Sequence, residues 1–408
     1  MLRKIIHTIL LRRHFWRYAT FSEVAELYAA RLLRILALRM VTLFIAIFLY
    51  NKGYSLVFIL TYLAVQYFGK ALLAFVAGFL VARNGPKRTT LHANLLYIPA
   101  LVAFTFVDSA DSAHGLIALG FVAFFQSLSS VLYDYSYLVN FSKVKSVKHA
   151  GKELGYMQVV EKIAGVLSPV VGGIIASVFG QTTVLIIAAI LFAVAALPLL
   201  RTGEPTKIRQ KIRWKGFPWR ISWRSIVAEN GIGVDYAASG VLWSLFLAAS
   251  VFAYQGEGVY VTVGILTALS TAMAFISAFI FGRLIDRKSG GLLIKYGVIF
   301  KAIGHVMRPV TAGPVEAAAV GSLTEVSTTA YAMAFMRGMF DVADVSGFRL
   351  TYMLLIEIAV NIGASSAYAA AAVLFYVFDQ TFAFTLVFMG AALYTLVIAT
   401  PRFQIYRR

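Results

Sequence analysis

Residues 182–200, TTVLIIAAILFAVAALPLL, and 381–400, TFAFTLVFMGAALYTLVIAT, carry no charged side chain. A run of about 20 apolar residues is what a helix needs to cross the hydrocarbon core of a bilayer. Ten more stretches approach this pattern: 35–50, 56–82, 90–107, 115–140, 154–178, 232–254, 259–282, 291–308, 315–337 and 350–375. A backbone in lipid must satisfy its own hydrogen bonds, so runs of this kind become helices. The sequence therefore predicts an all-α, polytopic membrane protein with twelve transmembrane helices. Composition excludes the soluble alternatives. The chain is 60% hydrophobic and only 13% charged, with a mean hydropathy of +0.80. A soluble surface needs more polar cover than that.

The formal charge is +19. Placing both termini in the cytoplasm gathers 32 of the 37 Lys and Arg on that side, leaving only Lys52 and Arg308 in the outer loops. This asymmetry orients the chain in a cell membrane as a multi-pass protein. The cytoplasmic charge also implies contact with anionic lipids. No basic block sits in a folded module that could present it to nucleic acid, so no nucleic-acid partner is expected. Disulfides and thiolate metal sites are excluded by the absence of cysteine.

The N-terminus, MLRKIIHTILLRRHFWR, is too broken by charge for a cleavable signal and suits a helix lying on the membrane surface. The organisation expected is a basic amphipathic segment (1–34), a six-helix bundle (35–200), a basic cytoplasmic connection (201–230), a second six-helix bundle (231–400) and a short tail (401–408). Trp214, Trp219 and Trp223 interleave with basic residues in the connection, a pattern suited to headgroup depth.

The halves repeat. Tyr50-Asn51 returns as Tyr254-Gln255, and Gly78-x-Leu80-x-x-Arg83 as Gly282-x-Leu284-x-x-Arg287. Tyr156-Met157-x3-Glu161 returns as Tyr352-Met353-x3-Glu357. The three matches keep their order at nearly one offset, at equivalent span ends.

Three features resemble the major facilitator superfamily, and the resemblance runs from about residue 31 to 400. The loop after span 2 in that family reads G-x-L-x-D-R-x-G-R-K; here Gly78, Leu80, Ala82, Arg83, Gly85, Lys87 and Arg88 fill its places. The loop after span 8 repeats it with Gly282, Leu284, Asp286, Arg287 and Gly290. Span 5 of the family's exporters and antiporters reads G-x8-G-x3-G-P-x2-G-G; here the places hold Gly155, Ala164, Ser168, Pro169, Gly172 and Gly173. Small residues there would let two helices approach closely. The resemblance implies the major facilitator fold, two pseudo-symmetric six-helix bundles. It also implies that spans 1, 4, 7 and 10 line a cavity and that spans 2 and 11 meet across the halves. Ala82 departs from the family's acid and Ser289 from its glycine. Span 4 also lacks the arginine usual in proton antiporters.

Ionisable groups at bilayer depth are functional candidates by default. They are Lys70, Asp134, Glu161, Lys162, Asp235, Lys301, Glu325 and Glu357. Asp134, Glu161, Asp235 and Glu357 fall within about two turns of the predicted cytoplasmic span ends, where a structural pair or cap is at least as good a reading. Polar stripes recur at helical spacing: Tyr62, Gln66 and Lys70 on span 2; Gln126, Ser130, Tyr133 and Asp134 on span 4; Glu325, Thr328 and Thr329 on span 10; Glu357 and Asn361 on span 11. A Lys70–Glu357 pair joining the halves in one state is a specific expectation. For Tyr50, Tyr54 and Trp243 packing is the better reading.

These features predict a secondary transporter moving a small amphipathic solute by alternating access, with efflux and proton coupling as the finer expectations. No cofactor or metal is expected, and the monomer is the expected unit. No P-loop is present, and the six histidines are scattered without catalytic spacing, so an enzyme is not expected. A lipid flippase or a non-transporting scaffold on the same fold remains the alternative.

Overall fold

The computed structural model describes residues 21–107, 112–144, 150–200 and 211–406. Residues 1–20 of the basic N-terminal segment and 201–210 of the connection lie outside the described residues. The described chain forms twelve helical rods and no strand. They are α1 Phe21–Asn51, α2 Leu56–Asn84, α3 Pro86–Phe104, α4 Ala113–Val144, α5 Ala150–Phe179 and α6 Gln181–Ala196. The second set is α7 Trp219–Val251, α8 Val259–Asp286, α9 Gly290–Met307, α10 Pro314–Ser346, α11 Arg349–Val377 and α12 Gln380–Thr395.

Ten of the twelve are long and apolar enough to cross a membrane. α3 and α10 fall short because they carry polar groups: α3 opens on Lys87, Arg88 and His92, and α10 holds Glu316, Glu325 and Arg337. Helix ends follow from local chemistry. Ser55 accepts from the amide of Phe58 (3.1 Å) to cap α2, and Asp379 accepts from Thr381 and Phe382 (both 3.1 Å) to cap α12. Gly85, at φ +88°, turns α2 sharply into α3, whose first residue is Pro86.

The packing repeats between the halves. α1 packs on α5 and α6, as α7 packs on α11 and α12. α4 packs on α2 and α3, as α10 packs on α8 and α9. The halves meet through α2 on α11 and α5 on α8. At the second seam a Cβ on Gly173 would stand 2.9 Å from the carbonyl oxygen of Tyr260, so the close approach requires glycine there.

Apolar side chains collect into two large clusters, each drawing on both halves. Along α2 one cluster ends at Ala64 and the other begins at Ala74; along α4 the limits are Val122 and Val131. Along α7 they are Ile232 and Ala237, and along α11 Ile356 and Ala364. Between these limits lie Gln66 and Lys70, Gln126 and Ser130, Asp235, and Glu357 and Asn361. The protein thus has an apolar layer toward each membrane face and a polar belt at mid-depth. The belt concentrates the groups whose burial lipid alone would not tolerate.

α7 and α11 cross on a pair of glycines. A Cβ on Gly233 would collide with the Val360 carbonyl oxygen and stand 2.8 Å from the Ala364 nitrogen, and one on Gly363 would collide with the Asn230 carbonyl oxygen. Gly233→Ala should lower stability by about 1–3 kcal/mol through overpacking, read as a fall in melting temperature in detergent. Gly120→Ala, where nothing lies within 4 Å, should not lower it. Equal melting temperatures for both variants would contradict this crossing.

Candidate functional site

The belt holds a buried polar cluster in each half, built on equivalent helices. In the first half Arg34 of α1 is 2% exposed. Its guanidinium donates to Asn94 Oδ1 of α3 (2.9 Å) and, at 3.4 Å, to the hydroxyl and carbonyl oxygens of Ser129 of α4. It also lies over the Tyr133 ring, 4.0 Å from its centroid. Beside it Gln66 donates to Gln126 (2.7 Å), and Gln126 donates to the Tyr97 hydroxyl (2.7 Å). One cation is therefore held by neutral dipoles and an aromatic face.

The second half places an acid at the corresponding point. Asp235 of α7 is wholly buried. Lys301 of α9 lies 3.3 Å from it, His305 of α9 2.7 Å from it, and the Tyr331 hydroxyl of α10 donates to its second oxygen. Ser239 donates to it as well (2.9 Å). Arg308 reaches the other ring nitrogen of His305 at 2.8 Å. A guanidinium can only donate, so His305 Nδ1 accepts and its proton sits on Nε2, facing Asp235. Arg308 also donates to the carbonyl of Ala238 (2.9 Å) and to Ser239 (3.1 Å). Ala238 opens the first of two π-helical turns in α7, Ala238–Leu242 and Leu247–Val251. Such turns leave carbonyls off the regular ladder, and here a buried arginine meets one of them.

Between the halves the described residues form one ion pair, Lys162 of α5 with Glu325 of α10 at 2.8 Å. Glu325 is also within electrostatic reach of Lys301 and Arg39. Thr328, one turn along, accepts from Lys301 (2.7 Å). Glu161 of α5 pairs with Arg31 of α1 inside the first half. Across the α2–α11 seam Ser365 donates to the Ala64 carbonyl (2.8 Å), and Tyr67 meets Tyr368 with ring centroids 5.4 Å apart.

Lys70 and Glu357 do not form an ion pair in this state. Lys70 Nζ lies 3.9 Å from the centroid of the Tyr67 ring, whereas Glu357 accepts from Asn361 at 2.9 Å. Glu357 is buried yet within electrostatic reach of Lys70, Asp134 and Glu229. Asp134 is exposed, Ser130 half-buried and Tyr133 buried. Glu229 of α7 has a buried carboxylate oxygen without a hydrogen-bond partner.

The motif residues occupy the seams and loops. A Cβ on Gly78 would stand 2.9 Å from Ile212 and 3.3 Å from Leu354 of α11. Arg83 and Arg287 are exposed on the basic face, Asp286 is half-buried, and Gly172 and Gly282 are buried. Gly155 and Pro169 fall within α5.

Several polar residues in or beside the belt escape the sequence reading. Arg34 falls in the stretch read as an N-terminal segment, and Glu229 in the stretch read as connection. α7 begins at Trp219, so Asp235 lies about 24 Å along the helix, at 1.5 Å per residue, rather than near its end. His305 and Arg308 fall at a span end, where Arg308 reads as an outer loop residue although it is 1% exposed. The usable signal is the spacing Lys301, His305, Arg308, which places three basic groups on one face of α9.

Known proteins agree with this architecture. The family model described as Major Facilitator Superfamily matches residues 27–365. No curated protein matches the chain in sequence. Among solved structures, the human organic anion transporter MFSD10 is similar with a TM-score of 0.70 at 11% identity, covering 93% of this chain and 99% of that one. A bacterial homologue of the iron transporter ferroportin, in an outward-facing state, gives 0.67 at 14% identity, covering 93% and 98%. The E. coli fucose:proton symporter gives 0.64 at 15% identity, covering 92% and 96%. The twelve-helix fold, the seams α2–α11 and α5–α8, and the family match converge: the chain belongs to the Major Facilitator Superfamily and is a multi-pass, non-enzymatic membrane transporter.

Proposed function

We propose that this protein exports a small amphipathic solute across the cell membrane by alternating access, in exchange for protons, with both termini in the cytoplasm. The observation that carries the coupling is a pair of membrane-depth acids without a cation bonded to either. Glu357 accepts only from Asn361, and one oxygen of Glu229 has no partner among the described residues. A buried carboxylate held this way is relieved by taking up a proton or by meeting a cation. Lys70 stands nearby on the opposite half, resting on Tyr67. Formation of a Lys70–Glu357 pair in one state and proton uptake by Glu357 in the other would join the proton cycle to the rocking of the bundles.

Aromatic walls support the amphipathic substrate class. Tyr67 and Tyr137 are half-buried near Lys70 and Asp134 and bring aromatic surface next to charge. Outward direction rests on the small-residue pattern of α5, and the cytoplasmic termini rest on the basic loops.

The test is reconstitution into proteoliposomes while recording internal pH against a broad panel of amphipathic solutes. Solute movement with opposing proton flux is expected. Glu357→Gln and Lys70→Ala should each abolish most coupled flux, and the double variant should recover uncoupled solute movement. Scrambling of labelled lipid without solute movement would replace this reading by a flippase. No movement of solute, lipid or protons would end it.

A further inference from the structure

A cavity of about 600 Å³ opens on the basic face of the second half, away from the belt. Its walls are the first turns of α7, the end of α10 and the C-terminal tail. Three arginines line it, Arg220, Arg224 and Arg402, against one acid, Asp341. Neither Arg220 nor Arg402 forms an ion pair among the described residues. Transport at the belt gives these guanidinium groups no task.

The cavity is fixed in shape. Phe403 is buried, packs against Phe335 with centroids 5.4 Å apart, and sits where a Cβ on Gly338 would collide with it. Tyr406 donates to the Ala334 carbonyl (2.8 Å). These contacts hold Arg402 opposite the start of α7. The lining is also amphipathic. Ile221, Trp223 and Val345 lie beside the arginines, and Ile221, Trp223 and Val345 are 40%, 48% and 60% exposed. The neighbouring Trp219 is 54% exposed. Tryptophan at this position marks headgroup depth.

We propose that this cavity binds the headgroup of an anionic phospholipid from the adjoining leaflet. The phosphate would lie among the three guanidinium groups, and the acyl chains would run along Ile221 and Trp223. Guanidinium forks suit phosphate oxygens, and a basic pocket bordered by apolar surface suits a lipid better than a soluble anion. A cavity of this size accommodates such a headgroup.

Native mass spectrometry of the full chain in detergent tests the proposal, with dioleoylphosphatidylglycerol and dioleoylphosphatidylcholine as probes. Phosphatidylglycerol should be retained preferentially. Each basic residue near an anionic lipid contributes about fivefold, so R220A/R402A should weaken retention about 25-fold. K215A/K295A removes the same charge from exposed positions elsewhere on this face and should change it less than about twofold. Equal losses in the two double variants would reduce the site to general surface charge and overturn the proposal. Displacement of the lipid by an equal concentration of glycerol 3-phosphate would also overturn it, in favour of a soluble anion. A readout on the unaltered protein guards against misfolded variants. Brominated phosphatidylglycerol should quench tryptophan emission more than brominated phosphatidylcholine at the same mole fraction, and equal quenching would count against a specific site.

Discussion

Asp235→Ala should destabilise the protein by about 3–5 kcal/mol, the cost of removing one partner from a buried ionic network. The reason lies in the balance of its cluster. Lys301 and Arg308 are each 1% exposed, and Asp235 is the acid that Lys301 meets. Arg308 has neutral partners: a carbonyl, a hydroxyl, the His305 ring and the faces of Trp243 and Phe388. Without Asp235 two buried cations remain with neutral dipoles and only the more distant field of Glu325. His305 would also lose the acceptor of its Nε2 proton, and the link to the π-turn at Ala238 would loosen. Tyr331→Phe removes one hydrogen bond to the same carboxylate and should cost less, about 1.5–3 kcal/mol. Pairing Asp235→Asn with Lys301→Met should cost less than the sum of the two single changes, because the second change removes the charge left stranded by the first. Thermal and denaturant unfolding in detergent would read all five variants, the two single changes of the pair included. An Asp235→Ala protein within 1 kcal/mol of wild type would show that water, not the protein, solvates this cluster.

The contrast between the two clusters explains what the sequence could reveal. Span number followed from apolar runs, and the polar stripes of α2, α4, α10 and α11 followed from helical spacing. Gln66 with Gln126, and Glu357 with Asn361, emerge in the belt from those stripes. Partners across the chain are a different matter. Asp235 meets His305 70 residues away, and Lys162 meets Glu325 163 away. No periodicity links such positions. The start of α7 was hidden because Trp219, Arg220, Trp223 and Arg224 mix aromatic and basic groups as an interfacial segment does. A start near residue 231 puts Asp235 near a membrane face and Glu229 in a connection; the start at Trp219 puts both inside α7. Arg34 was hidden for a similar reason: its burial depends on Asn94, Ser129 and Tyr133, three residues on two other helices. The pseudo-twofold repeat offers the missing constraint. Once Arg34 is seen against α3 and α4, the same place on α7, α9 and α10 holds Asp235, Lys301 and Tyr331.

Glu325→Gln should lower transport by at least about tenfold, and Lys162→Gln by about fivefold. Glu325 is the acid on which Lys162 of the other half converges, with Lys301 and Arg39 within reach. The side chains are 35% and 12% exposed, so solvent screens the Lys162 pair and its own contribution is discounted to about 1 kcal/mol. That still shifts a two-state equilibrium about fivefold. Rocking of the bundles must separate α5 from α10 at some stage, because the bridge spans the two halves. When it opens, Glu325 keeps the field of Lys301 within its own half, so the carboxylate exchanges a partner rather than losing one. Losing Lys162 alone therefore leaves a satisfied acid and a shifted equilibrium. Losing Glu325 leaves Lys162 and Arg39 of the other half without the acid they face, while Lys301 falls back on Asp235 alone, which accounts for the larger effect. The double variant should transport no worse than Glu325→Gln, because the lysine has nothing left to pair with. Initial rates of solute flux in proteoliposomes, combined as a double-mutant cycle, measure this directly. Strictly additive losses would mean that the two residues act separately and that their contact does not gate the cycle.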